Sequence, residues 1–355
     1  MRFSPHPSPL PKGEGKVRFR MPAEWEPHAA TWLAWPHDLE TWPKQLEKVK
    51  AAYLEIIEQL HVGENVQILV DDRKTQDYVL QKLRQRGIIK NVGFHLVETD
   101  SIWIRDYGPI FVTESGGYLQ ITNWIFNAWG RKYDSYQKDN LVPDQIAKIL
   151  NVRELKADLV LEGGSIEGNG LGTFMTTEEC LLNPNRNPHL KRDEIEQRLK
   201  DFLGAKKIIW LEKGIEGDDT DGHIDEVARF VAADTVVMSV HHDLKSYNGQ
   251  ILKENWRRLK QETDQNGKPF KMIELPMPNQ IHADKMILPA SYANFYIGNK
   301  CVLVPTFNDP NDSTVLGIMK DLFPGRSVAG IQAVPLIHGQ GAIHCITQQE
   351  PIHAD

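Results

Sequence analysis

The chain has 355 residues, enough for one large domain or two, and its 41% hydrophobic and 25% charged residues are those of an ordinary globular protein with a sizeable core. A net charge of -7 argues against a nucleic-acid binder and favours cationic ligands. Three widely spaced cysteines make no disulfide framework, which points to a reducing, cytoplasmic setting, and no apolar run approaches the roughly 18 residues of a membrane span.

Residues 1–17 are rich in Pro, Gly and Ser and lack the apolar segment of a signal peptide. They read as a disordered tail before a single domain over 18–355. A short aromatic strand over 30–36 opens the fold. Leu46, Val49, Tyr53, Ile56 and Leu60 recur at helical spacing. Strands follow at 66–70 and 91–98, with a helix over 75–86 between them. A hairpin is expected over 110–123, turning at Glu114-Ser-Gly-Gly117.

The same order then recurs. Helices are expected over 143–150, 192–203, 250–262 and 313–323, and strands over 157–161, 207–211, 270–275 and 327–333. Hairpins turn at Gly168-Asn-Gly170, near Ala232-Ala-Asp234 and at Gly298-Asn299. Five passes of helix, strand, special loop and hairpin result, at intervals of roughly 50 to 70 residues. A doubly wound sheet alternates helix and strand but does not place a hairpin in every unit. A ring of five small mixed sheets, with its loops converging on one axis, fits better.

The special loops carry the reactive groups. Cys345 follows a glycine loop, Gly339-Gln-Gly341, and is read either as a nucleophile or as a small core thiol. His223 and Asp225 are two apart and share a face if that stretch is extended; the other reading is a surface acidic loop. Trp103 and Asp106 suit an apolar wall beside an anionic anchor, against a core tryptophan with an Arg105–Asp106 surface pair. Glu162, at Glu-Gly-Gly-Ser165, adds a third carboxylate or a solvated hairpin entrance. Cys180 and Cys301 lie in apolar, strand-like runs and read as core thiols.

A thiol, a histidine and several carboxylates together call for a planar cation. A guanidinium matches, because paired carboxylates hold it through parallel N–H···O contacts and its poorly electrophilic carbon suits a thiolate. Zinc on His223, Asp225, His344 and Cys345 is the rival. No Cys-x-x-Cys or His-Glu-x-x-His spacing supports it, and on a strand His344 and Cys345 would point to opposite faces.

Six stretches resemble one family. They are Met21-Pro-Ala-Glu-Trp-Glu-Pro-His28, Trp103-Ile-Arg-Asp-Tyr-Gly-Pro109, Glu162-Gly-Gly-Ser-Ile-Glu167, Thr176-Thr-Glu-Glu-Cys-Leu-Leu-Asn-Pro-Asn-Arg-Asn-Pro188, Asp218-Asp-Thr-Asp-Gly-His-Ile-Asp-Glu-Val-Ala-Arg-Phe230 and Gly341-Ala-Ile-His-Cys-Ile-Thr-Gln-Gln-Glu-Pro351. Together they are similar to the agmatine deiminase family, which includes bacterial proteins named after peptidylarginine deiminase. The resemblance implies an α/β fold of the pentein type, a five-bladed, pseudo-fivefold α/β propeller of repeated ββαβ-type units. It implies a hydrolase without metal or cofactor, and a small cationic guanidinium substrate as partner rather than nucleic acid or membrane; homo-oligomerisation is left open. By the same resemblance Cys345 is the nucleophile and His223 the general acid/base; with substrate bound, the substrate cation and a protonated His223 are both expected to favour the thiolate. Asp106 and Asp225 hold the guanidinium, Glu162 adds a substrate carboxylate and Trp103 packs on the aliphatic spacer. Asp219 stands where typical members have a Glu that meets the far amine, a shorter acid at that place. The implied reaction converts agmatine and water to N-carbamoylputrescine and ammonia. The alternatives are deimination of free or peptidyl arginine, an amidinotransferase and a non-catalytic sensor.

Overall fold

The structure is a computed structural model that describes residues 19–114, 116–283 and 285–353. The tail expected over 1–17 lies outside the described residues. The fold is mixed α/β. Five of its sheets share one strand pattern: a central strand with an antiparallel neighbour on one side and a parallel one on the other. The central strands are His28–Ala34, Leu119–Ile125, Thr173–Thr177, Thr235–Val240 and Cys301–Thr306. Their parallel neighbours are Asn65–Val70, Arg153–Val160, Lys207–Leu211, Lys271–Pro276 and Ser327–Gln332.

A parallel pair needs a crossover, and in every case a helix supplies it. These helices are Leu46–Leu60, Val142–Leu150, Arg192–Leu203, Tyr247–Lys260 and Asp312–Leu322. Each turns a short apolar stripe inward, such as Val49, Tyr53, Ile56 and Leu60 on the first. The central strands are covered on both faces: all five residues of Thr173–Thr177 are buried. The antiparallel neighbours are Ile110–Glu114, Glu167–Gly168, Ala228–Ala232, Tyr296–Ile297 and Gln348–Pro351. The last of these joins the two ends of the chain, since Gln348–Pro351 pairs with His28–Ala34.

Most expected elements stand within a few residues of their places. The strand expected over 157–161 begins earlier, as Arg153–Val160, because its first half lies beside Leu119–Ile125 at the sheet edge and alternates exposed with buried positions. The ribbon Ile281–Ala283 with Met286–Leu288 was not anticipated, its two halves being too short to show a period. The segment around Cys345, expected as a strand, is a tight turn over His344–Ile346, and the strand begins only at Gln348. Cys180 lies in a short helix, Glu178–Leu181, rather than in a strand-like run.

The special loops occupy one place in the repeat, immediately before the antiparallel strand. Asp106 precedes Ile110–Glu114, Glu162 precedes Glu167–Gly168, Asp225 precedes Ala228–Ala232, Asn294 precedes Tyr296–Ile297 and Cys345 precedes Gln348–Pro351. The turns Ile104–Tyr107, Gly163–Ser165, Ile224–Glu226 and His344–Ile346 form a chain of neighbours in space.

Closure of the terminal sheet is reinforced by Glu350, which accepts the Trp32 indole N–H at 2.7 Å with both residues buried. Glu350→Leu strands that donor and should cost about 1–3 kcal/mol, with Glu350→Gln costing less because it keeps an acceptor. Urea unfolding of the two variants measures the difference.

Candidate active site

Three of these loops meet at Gly164. A Cβ at that position would lie 2.6 Å from His223 Nδ1, 2.7 Å from Asp106 Oδ1 and 3.1 Å from Asp225 Oδ2. Only glycine leaves room for the three groups to converge. Its backbone N–H also donates to Asp106 Oδ1 at 3.1 Å.

Asp106 sits on the short helix Ile104–Tyr107, and its other oxygen accepts the Trp129 indole N–H at 2.9 Å. Burial pushes its pKa up to about 7, against the pull of the Trp129 hydrogen bond. Trp129 belongs to a turn in which Ala128, Trp129, Gly130 and Arg131 all have positive φ, between 52° and 90°. L-residues in this region cost roughly 1–2 kcal/mol each. The Asn127 side chain, which accepts the Gly130 N–H at 2.8 Å, braces the turn.

Asp225 lies on the turn Ile224–Glu226 and is fully buried. Its Oδ2 is 2.6 Å from His344 Nδ1 and 3.9 Å from Cys345 Sγ. Burial, and after it the charge of Asp106, push its carboxyl well above the usual range. Glu226, to which the sequence reading assigned no role, brings Oε1 to 4.0 Å from Cys345 Sγ and is pushed upward by burial and by Asp225. The two carboxylates therefore approach the sulfur from one turn.

Because residues 224–226 turn rather than extend, His223 and Asp225 do not pair along a strand face as expected. The backbone N–H of His223 is held by Asp218 at 3.0 Å, and Asp218 also accepts from Thr220 and Gly222. The ring then lies with Nδ1 3.6 Å from Asp106 and Nε2 4.0 Å from Glu162. Burial, and then the Arg186 charge, hold the imidazole neutral at ordinary pH. The protonated His223 expected beside the thiolate concerns the substrate-bound site; without substrate, burial disfavours the imidazolium.

Cys345 is 4% exposed. Asn294 fixes it from two sides: Nδ2 donates to Sγ at 3.1 Å, and Oδ1 accepts the backbone N–H groups of His344 and Cys345 at 2.9 and 3.3 Å. Burial, and then Asp225, Glu226 and Asp106, push the thiol well above its ordinary pKa. Trp103 is next to it. A Cβ on Gly341 would be 2.6 Å from the Trp103 ring and 3.1 Å from Cys345 Cβ, so the glycine lets indole and thiol share one wall. Trp103 also packs on Trp42, with ring centroids 5.8 Å apart.

Glu162 is held through one oxygen, while its Oε2 makes no hydrogen bond among the described residues and lies 4.0 Å from His223 Nε2. Its Oε1 accepts Arg186 Nε at 2.6 Å, both side chains being fully buried, and Arg186 continues to Asp221 and to the carbonyl of Thr220. Arg105 forms no surface pair with Asp106; it is buried, 3.5 Å from Glu24, with its Nε donating to the His344 carbonyl. Asp219 stands apart from the thiol. Its side chain is 38% exposed, accepts Tyr133 Oη at 2.8 Å and lies 3.6 Å from Lys132 Nζ. Arg186, Trp129, Asn294 and Arg229 escaped the sequence reading because each meets the site across a long chain separation. Arg186, Arg229 and Glu24 do fall inside the motifs that carry the family resemblance, which is the signal that could have found them.

Among the described residues, two groups of three ligating atoms fall within 4.8 Å of one another: Glu162, Cys180 and His223, and Asp225, Glu226 and Cys345. Cys180, read as a core thiol, thus borders the site. In the first group the Arg186 guanidinium already holds the carboxylate, and its charge opposes a metal cation. The second is the acidic pocket around the nucleophile. Chemically the arrangement offers a thiol, a neutral imidazole and three carboxyls without guanidinium partners among the described residues.

The profile of the Porphyromonas-type peptidyl-arginine deiminase family matches residues 20–351. A Legionella pneumophila protein assigned provisionally as an agmatine deiminase is 38% identical over 337 residues, spanning 94% of this chain and 95% of its own. The solved agmatine deiminase of Enterococcus faecalis is 33% identical, with TM-score 0.87 over 94% of this chain and 96% of that one. A cysteine-to-serine variant of the C. jejuni agmatine deiminase, solved with substrate bound, is 32% identical, with TM-score 0.85 over 95% and 97% of the two chains. With motif, fold and length in agreement, the chain belongs to the Porphyromonas-type peptidyl-arginine deiminase family.

Proposed function

We propose that this protein hydrolyses agmatine to N-carbamoylputrescine and ammonia through a covalent intermediate on Cys345. The observation that carries this reading is the convergence of His223, Asp106 and Asp225 at Gly164, with Cys345 Sγ 3.9 Å from Asp225. Buried acids without cationic partners match a guanidinium, which brings the missing charge and four or five donors in a plane.

Asp106 and Asp225 ionise as the guanidinium enters between them. The same cation lowers the pKa of the Cys345 thiol, and the neutral His223 is the base that takes the released proton. The thiolate attacks the guanidinium carbon. His223 returns its proton to the departing nitrogen, ammonia leaves, and an S-alkylthiouronium remains. Water then loses a proton to His223 and adds to the same carbon; the C–S bond breaks and the ureido product is released. Arg186 holds Glu162 and keeps the imidazole neutral between these steps. Trp103 lies against the aliphatic spacer. The five equivalent sheets support a pseudo-fivefold α/β propeller of the pentein type, a single catalytic domain, and the protein is read as cytoplasmic. Relatives named as agmatine deiminases favour agmatine. The second reading is deimination of free or peptidyl arginine, and against it Lys132 is already paired with Asp221 at 2.8 Å and lies by Asp219.

A ureido-product assay over agmatine, arginine and arginine-terminal peptides decides between them; agmatine should be the preferred substrate. Cys345→Ser should abolish turnover and still bind agmatine by calorimetry, and turnover at the native rate would exclude the covalent scheme.

The pH dependence follows from Asp106. Its carboxyl is neutral below about 7 and anionic above it, and only the anion holds the cation. Affinity for agmatine should therefore rise with pH, about tenfold per unit below that value, and level off above it. Trp129→Phe removes a hydrogen bond that favours the anion, so the acid limb of kcat/KM should move to higher pH. Steady-state kinetics from pH 5.5 to 9 test both expectations, and an unmoved limb in the variant would assign it to another group.

A further inference from the structure

His344 has no part in the chemistry above, yet both of its ring nitrogens are committed to carboxylates. Nδ1 is 2.6 Å from Asp225 Oδ2 and Nε2 is 2.8 Å from Glu24 Oε2. The ring is 2% exposed, so water does not compete for either contact. Its backbone is fixed as well, since Asn294 accepts the N–H and Arg105 donates to the carbonyl. The expectation that His344 points away from the site fails because residues 344–346 form a turn.

The two ends of this bridge differ. Glu24 faces cations: Arg229 Nη2 at 2.9 Å and Arg105 Nη2 at 3.5 Å, with the Ile297 N–H at 2.8 Å on its other oxygen. Asp225 faces Asp106, Asp218, Glu226 and the Cys345 thiol, and the nearest arginines, Arg229 and Arg105, are committed elsewhere. Glu24 thus remains an anion and accepts from Nε2–H. Across the 2.6 Å contact a single proton then lies between Asp225 Oδ2 and His344 Nδ1. Without a cation at Asp225 it belongs on the carboxyl, leaving a neutral imidazole. Burial, and then Arg105 and Arg229, oppose imidazolium in that state.

We propose that His344 stores the Asp225 proton during turnover, as a positioning residue that acts through Asp225. When a guanidinium reaches Asp225, the O–H bond at Oδ2 breaks and an N–H bond forms at Nδ1. The result is an Asp225 carboxylate facing the substrate and an imidazolium held by Glu24. Once the guanidinium has become a neutral ureido group, the cation at Asp225 is gone and the proton returns from Nδ1 to Oδ2. The carboxylate is thus ready for its cation without a proton crossing the protein surface. The inference rests on the reading of Asp225 as a guanidinium ligand.

Nitrogen-15 NMR of histidine-labelled Cys345→Ser protein tests the transfer with the network unaltered, the His344 signals being assigned by their loss in His344→Gln. Nδ1 should be unprotonated in the free protein and protonated when agmatine is bound; a protonation state of Nδ1 unchanged by agmatine overturns the proposal. Kinetics of His344→Gln give a second readout, because glutamine can donate to Asp225 but cannot accept its proton. At pH 7.5 its KM should rise about tenfold or more with kcat within about threefold, and that KM should fall about tenfold per unit as pH rises towards 9. Native KM should be flat over this range. A loss of kcat independent of pH, or a native KM, would make His344 merely structural. If the unaltered protein neither binds nor deiminates agmatine, arginine or arginine peptides, the reading of the site fails first and takes this proposal with it, an outcome visible before any His344 variant is made.

Discussion

The constraint on which the site depends is the distribution of buried charge. Carboxylates taken out of water must be paired, hydrogen-bonded or protonated. This protein buries Glu24, Asp106, Glu162, Glu167, Asp225 and Glu226 around one centre and supplies Arg105, Arg186 and Arg229 to only some of them. Glu162 takes Arg186, while Glu24 and Glu167 share Arg229. Among the described residues no arginine or lysine forms an ion pair with Asp106, Asp225 or Glu226. Glu24, Glu162 and Glu167 thus face arginines of the protein, whereas in the proposed reaction the charge facing Asp106, Asp225 and Glu226 comes from the substrate. Burial first, and neighbouring acids after it, raise the pKa of Asp106, of Asp225 and of the Cys345 thiol, and a cation bound among them would oppose all three shifts.

The fold makes this arrangement possible by repetition. Each sheet ends its incoming loop with a tight turn just before the antiparallel strand, and that turn aims its side chains at the same region. Five loops separated by long stretches of chain therefore reach one point without any of them being long. Asn294, in the loop that carries no carboxylate, histidine or cysteine, is the brace for Cys345. Gly164 and Gly341 occur where backbone must pass between reacting groups, so the absence of a side chain there is as specific as the presence of Asp106 or Cys345.

The left-handed run from Ala128 to Arg131 is the place where backbone energy has been given up for the site. Non-glycine residues with positive φ are held there by Asn127 and by packing of Trp129 on Phe126. What the strained turn delivers is an indole N–H at Asp106 Oδ2, a neutral donor that favours the anion without filling the cation's place. A lysine or arginine at that position would satisfy Asp106 permanently and close the pocket to a guanidinium.

How much could be read beforehand follows from the range of each interaction. Periodicity and turn residues are local, so the helices, the hairpins and their fivefold order were legible, as were the loops that carry Cys345, His223, Asp225 and Asp106. Short turns are not periodic, and His344 was therefore placed on the wrong face and Cys180 in the wrong element. Partners across the chain were not legible either. Asp219 finds Lys132 and Tyr133, 87 and 86 residues away, and Glu162 finds Arg186. By itself the sequence determined which elements form and which reactive groups exist. Tertiary structure alone decided which acids are neutralised, which histidine stays neutral and which proton is shared, because ionisation depends on burial and on charges brought close only by folding.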